Sequence, residues 1–133
     1  MELQVGVKAL IKDEQGRFLL LRRSQPYEGE SEPRWDIPGG RINVGEPILQ
    51  ALAREIKEET GLTMQGEPRI VYAQDILRVA GRHVVRLTFE TGAEGEVALD
   101  PKEHSAHQWV SLEKIQGIYH DLYLDPVLKN TRA

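Results

Sequence analysis

Cysteine is absent from the 133 residues of this chain, which excludes disulfides and removes thiolate from any metal site. A basic excess is also lacking. Lys and Arg number 17 against 21 Asp and Glu, a formal net charge of -4, and this argues against duplex nucleic-acid binding driven by a basic surface. A small anionic ligand remains compatible, because local basic side chains or a bound cation reverse the sign within one cleft. No apolar run approaches a membrane span, and the opening segment MELQVGVKAL has no basic stretch followed by a signal-length apolar core. The expectation is a cytoplasmic protein with no membrane partner. Repeats, low-complexity tracts and interdomain linkers are missing too, and a chain of this length with 40% hydrophobic residues fits one domain over residues 1–133. The histidines, His83, His104, His107 and His120, are dispersed without metal-ligand spacing and receive no role.

What is present reads as strands around one long helix. Leu3, Val5, Val7, Ala9 and Ile11 alternate along an extended segment, and DEQG supplies turn residues before RFLLLRR, a pattern that predicts a hairpin. The polar segment SQPYEGESEPR reads as a surface loop leading to a short strand at WDI, ended by Pro38 and two glycines. From Pro47 the pattern turns helical, with Ile48, Leu52 and Ile56 at four-residue spacing and Gly61 placed to cap the end. RIVYAQDI and HVVRLTFET read as strands, the second with Val85, Leu87 and Phe89 on a packed face and Val84, Arg86 and Thr88 on the other. A loop GAEGEVALDPKE, a strand around HQWV, a Ser111-capped turn at SLEKI and a final helix near DPVLKN complete the chain. Strands enclosing one helix, with late helices after them, point to an α+β or sandwich-like domain with a mixed sheet.

The long helix ends against its own dipole. Its last turn carries Glu55, Glu58 and Glu59, where helix carbonyls already give partial negative charge and basic residues are preferred. At about 100° per residue, Glu59 lies roughly 40° from Glu55 on one side and Glu58 about 60° on the other. All three share a face. The stripe of Ile48, Leu49, Leu52 and Ile56 adjoins it, so Glu55 and Glu59 are expected at the edge of the buried surface. Acids clustered there are relieved by a divalent cation, and oxygen donors without cysteine favour a hard ion such as Mg²⁺ or Mn²⁺. Taken alone, REIKEE is the pattern of an ordinary solvated helix face with Arg54 and Lys57 as partners. The surrounding residues change that reading, because Gly40, Glu46, Arg54, Glu55, Ile56, Glu58, Glu59, Gly61 and Leu62 satisfy the pattern G-x5-E-x7-R-E-U-x-E-E-x-G-U, with U aliphatic.

At these positions the chain resembles the Nudix hydrolase family, MutT-like members included. LLLRR, WDIPGG and HQWVSLEKI are similar to family segments as well. The resemblance implies a Nudix-type α/β/α sandwich and Mg²⁺-dependent hydrolysis of a nucleoside diphosphate linked to a moiety X, with Mn²⁺ as a substitute ion. It implies that Glu55, Glu58 and Glu59 hold metal, that the Gly39 carbonyl contributes a ligand, that Arg54 orients the glutamates and that Glu46 supports the loop. Gly40 would let backbone approach the metal-phosphate centre. On the substrate side the same resemblance points to Arg23 and Arg41 together with Gly40. The partner is then a small nucleotide, with a homodimer left open. A competing reading is a nucleotide-binding regulatory module that keeps the fold without turnover. Such a module is expected to lose box carboxylates, and this chain retains them.

A further acid is needed to complete coordination or accept a proton from the attacking water. Glu103 is the candidate, since its separation from the Trp109 strand is similar to that of a metal-binding Glu in triphosphate-cleaving relatives, whereas Asp100 precedes Pro101 and reads as a turn former. Whether Glu55 or Glu103 would be the base stays open. Arg78, Arg82 and Arg86 are weaker candidates for the cleft, and Trp35 and Trp109 read as structural. The loop from Ser24 to Arg34 is a candidate specificity element. Leu124 and Asp125 precede Pro126 where relatives of the purine triphosphate-cleaning type tend to carry an amide, so the sequence does not support a role on mutagenic nucleotides; Asp125 reads as a helix cap.

Overall fold

Alternation along the first strand decides the layering. The structure, a computed structural model, describes residues 1–131. In β1 (Glu2–Ile11) the side chains of Val7, Ala9 and Ile11 are fully buried in one cluster, while Leu10 points into a second cluster on the opposite face. β2 (Phe18–Arg23) divides the same way, with Leu19 and Leu21 in the first cluster and Phe18 and Leu20 in the second. A run of four buried apolar residues is the signature of a strand covered on both faces.

The remaining elements are β3 (Trp35–Asp36), β4 (Gly39–Arg41), α1 (Ile48–Thr60), β5 (Thr63–Ile76), β6 (Arg82–Glu94), β7 (His104–Val110), α2 (Leu112–Ile115) and α3 (Asp125–Lys129), with a 3₁₀ turn at Leu122–Leu124. They build two sheets, ordered β4-β1-β6-β5 and β3-β2-β7. β1 and β6 are parallel within an otherwise antiparallel first sheet, which is therefore mixed. Helix α1 packs its Ala51, Leu52 and Ile56 on the first cluster. Ile115 of α2 and Val127 and Leu128 of α3 close the second. Helices on both sides of the strands make the α/β/α arrangement.

The turn at Asp13 forms, its carboxylate accepting from the backbone N–H groups of Gln15 and Arg17, but the predicted hairpin does not: beyond a single bridge between Lys12 and Phe18, β1 and β2 part into different sheets. Gly39 and Gly40 do not simply end a strand, because they form β4 and pair with Lys8 and Val7 of β1. The expected one-sided packing of β6 also fails, since Thr88 is completely buried on the face opposite Phe89. The segment from Tyr123 to Val127 covers that face.

Helix α1 behaves as its spacing implies, with one exception. Gly61 sits at φ 77° and donates its N–H to the Lys57 carbonyl, a left-handed C-cap for which glycine carries no Cβ penalty. Ile48 and Leu49, expected on the packed stripe, are instead 44% and 45% exposed. The first turn of α1 therefore stays outside the packed cluster that Ala51, Leu52 and Ile56 join.

Candidate active site

The C-terminal turn of α1 lies against β4. Glu59 accepts a hydrogen bond from the Gly39 N–H at 2.9 Å, and Glu55 is buried with its carboxylate against Gly40. A Cβ on Gly40 would lie 2.5 Å from Glu55 Oε2, and one on Gly39 would lie 2.1 Å from the Val7 carbonyl oxygen. No side chain fits at either position without displacing the acid or the strand. Gly39 is therefore required by the backbone of β1, and Gly40 leaves the space that the Glu55 carboxylate occupies.

Arg54 gathers the other acids. Its Nε donates to Glu46 Oε2 at 2.7 Å and its Nη2 to Glu46 Oε1 at 3.0 Å, a two-pronged pairing, while Nη1 reaches Glu55 at 2.9 Å and Glu58 at 3.1 Å. Nη2 also donates to the Arg41 carbonyl. Glu46 in turn accepts from the Asn43 N–H, so the loop before α1 is tied to the helix through one guanidinium. The hydrogen bonds from Arg54 and Asn43 hold the Glu46 carboxyl below the usual range.

Glu55 and Glu59 differ from Glu46 in sign. Burial pushes the Glu55 carboxyl up against the pull of Arg54, with Glu59 and Glu58 adding to the rise. Burial likewise pushes Glu59 up, opposed by Lys8 and the Gly39 N–H and assisted by Glu103 and Asp36. Desolvation and like-charge repulsion both disfavour the ionised forms. A buried and a half-buried acid held in this state form a site that a cation would neutralise.

The third element is the start of β7. Ligand atoms of Glu59, Glu103 and His104 all lie within 4.8 Å of one another. Glu103 thus meets Glu59 as the sequence anticipates, while Glu55 and Glu58 belong to the group collected by Arg54. Asp100 does not join either group; its carboxylate accepts from the Lys102 N–H and shapes the turn. The dispersed histidine spacing gives no hint of His104. Its Nδ1 is buried without a hydrogen-bond partner among the described residues, and burial drives its pKa down in spite of Glu103, leaving the neutral imidazole that metal binding needs. No local spacing could have found it, since its partner Glu59 is on α1. Two carboxylates and one neutral imidazole make a donor set that fits a divalent cation.

Beside these acids opens a cleft of about 410 Å³ whose rim carries Lys8, Arg23, Tyr27 and Lys102. Lys8, unremarked in the sequence, donates to Asp36 at 3.2 Å and to the Ile37 carbonyl at 3.1 Å. A register shift between Arg22 and Arg23 turns Arg23 to the cleft, where its buried Nε has no described partner. The guanidiniums of Arg23 and Arg34 lie 4.0 and 4.9 Å from the centre of the Tyr27 ring. Arg34 also pairs with Glu30, and Ser24 bonds to the Pro101 and Glu103 carbonyls, so the Ser24–Arg34 loop is pinned to the turn that presents Glu103. Arg41, two residues along β4 from Gly39, lines a neighbouring trough and not this cleft. Trp35 and Trp109 are half-buried against the second and first clusters. Asp125 does not cap a helix: it starts α3 and accepts from His120, while Asp121 caps the preceding turn through the Tyr123 N–H.

The NUDIX domain family model matches residues 2–130. A MutT protein of Methanosarcina mazei Go1 is 35% identical and superposes with a TM-score of 0.80 over 96% of this chain and 91% of that one. An ADP-ribose pyrophosphatase of Methanocaldococcus jannaschii is 29% identical over 84% of this chain and 65% of its own length. A CTP pyrophosphohydrolase of Escherichia coli is 29% identical over 83% of this chain and 78% of its own length. This chain thus spans just under two thirds of the length of the Methanocaldococcus jannaschii relative.

Proposed function

From the premise that the chain belongs to the Nudix family, we propose that it is a Mg²⁺-dependent pyrophosphohydrolase that cleaves a nucleoside diphosphate linked to a moiety X by attack of water. The observation that carries this reading is the meeting of Glu59 with Glu103 and His104 at the edge of a cleft rimmed by Lys8, Arg23 and Lys102. Acids at the floor and cations at the rim match a ligand that is itself a metal complex of a polyphosphate.

Bound Mg²⁺ would neutralise phosphoryl oxygens and acidify a water. The protein's own part is positional. Glu59 and Glu103 with His104 would hold metal where they meet, and Glu55 and Glu58, gathered by Arg54, would with the Gly39 carbonyl hold metal beside them. Arg54 keeps Glu55 and Glu58 aimed, and Arg23 and Lys102 would draw the phosphates into line with the attacking water. The water oxygen bonds to one phosphorus as the bridging oxygen leaves, and the water's proton passes to a carboxylate oxygen of Glu103 or Glu55. No covalent nucleophile is involved.

The relatives named above act on ADP-ribose and on CTP, and this divergence at similar identity leaves X to experiment. Purified protein incubated with Mg²⁺ and nucleoside triphosphates, ADP-ribose, nucleotide sugars and dinucleoside polyphosphates, in ¹⁸O-water, is expected to release a nucleotide and to label one phosphate product. Absence of product from every substrate would overturn the reading and favour a binding module.

A further inference from the structure

On the first sheet, register places Arg41 of β4 and Arg86 of β6 directly on either side of Gly6 of β1. Gln4, Lys8 and Val84 share that face, and together these side chains border a trough of about 210 Å³ that no acidic or aromatic residue lines. Gly6 is not demanded by the backbone. Its φ is not left-handed, and a Cβ there would meet only the Gly40 carbonyl oxygen at 3.5 Å and Val84 at 4.0 Å, ordinary contacts. Mid-strand glycine weakens a strand and marks places where something other than a side chain approaches.

The two guanidiniums beside that gap have no described carboxylate within ion-pair distance. Asp121, the buried acid that feels the charge of Arg86, is taken by Arg34 and Arg78, each at 3.5 Å. Arg86 is partly buried, and an unpaired cation in that position is unfavourable unless an anion joins it. The trough has no ring on which a base would stack. A planar fork of donors matches the oxygens of a phosphate.

We propose that this trough binds a phosphate monoester carried by the sugar next to the scissile pyrophosphate. The trough and the acidic cleft share Lys8 and Gly39 as lining residues, so one ligand spans both, and a group held between Arg41 and Arg86 is a near neighbour of the phosphates in the cleft. Arg86 then sets specificity while the acids of α1 carry the chemistry. This rests on the reading of the cleft as a pyrophosphate site.

Calorimetric titration of the whole protein with AMP, adenosine 2′,5′-bisphosphate and adenosine 3′,5′-bisphosphate tests it. At least one bisphosphate is expected to bind about tenfold more tightly than AMP, the gain of a charge-assisted hydrogen bond, and the 2′ and 3′ arms tell which hydroxyl carries the group. Arg86→Gln and, independently, Gly6→Val are expected to bring the ratio near one, and a thermal melt checks that each variant is folded. Equal affinities for all three ligands, undetectable binding of both bisphosphates, or a ratio unchanged in both variants would overturn the inference. Failure of the hydrolysis reading registers separately, as no product from the nucleotide panel, and leaves these ratios untouched.

Discussion

Glu59 pays twice for its place, once in desolvation and once in the company of Glu103 and Asp36. Its carboxyl and that of Glu55 are raised above the ordinary range in the folded protein. A raised folded-state pKa means that folding favours the protonated form, so this contribution is complete below the ordinary carboxyl pKa and is lost as pH climbs through the raised value. Glu59→Gln keeps an oxygen for the Gly39 N–H and removes the charge. Without metal at neutral pH its Tm should hold or rise, on the order of 4 °C for each kcal/mol gained, and its advantage over wild type should shrink as pH falls toward 4 in a series of melts. Turnover should drop about 100-fold or more. Full activity at limiting Mg²⁺ would remove Glu59 from the ligand set. A second pair of variants separates neighbouring acids: Glu103→Gln is expected to lower kcat by about 100-fold, whereas Asp100→Asn, which still accepts from the Lys102 N–H, should change kcat little. A Glu103 variant with wild-type kcat and metal dependence would return the role of base to Glu55.

Among the elements, α1 was the most legible, because its cap, its apolar stripe and its acids lie within one continuous segment whose geometry repeats every turn. The C-terminal segment was less so. Its hold depends on His120, which bridges the Ile118 carbonyl at 2.6 Å and Asp125 at 2.5 Å. Burial alone would lower the His120 pKa, but these partners raise it. The sign is that of a cation gaining partners on folding: the stabilisation is present below the ordinary histidine pKa and is lost as pH rises through the raised value. Melts of wild type and His120→Gln should therefore differ most near pH 6 and converge by about pH 9, above the usual histidine range. A constant gap across that range would show that the ion pair contributes nothing.

For the molecule as a whole, β2 ties the two clusters together, since Leu20 and Leu21 are adjacent in the chain and buried on opposite sides. We propose that residues 1–133 unfold as one domain. Each cluster holds its own reporter, Trp109 in the first and Trp35 in the second, so the fluorescence of Trp35→Phe reports one and that of Trp109→Phe the other. In each variant the fluorescence and far-UV circular dichroism midpoints in urea should coincide. A fluorescence transition detached from the secondary-structure transition would show that one layer melts alone.

By itself the sequence determined the long helix, its acidic last turn and its glycine cap, and the absence of any thiol, because each depends on residue type and on spacing within a few turns. It also placed Arg54 and Glu46 in one local pattern; that the two pair with each other is seen only in the structure. Only the tertiary structure decided that β1 and β2 enter different sheets, that Glu103 and His104 arrive beside Glu59, and that Arg41 and Arg86 flank Gly6. Those meetings join strands and a helix far apart in the chain, and a one-residue change of register would turn each side chain to the other face.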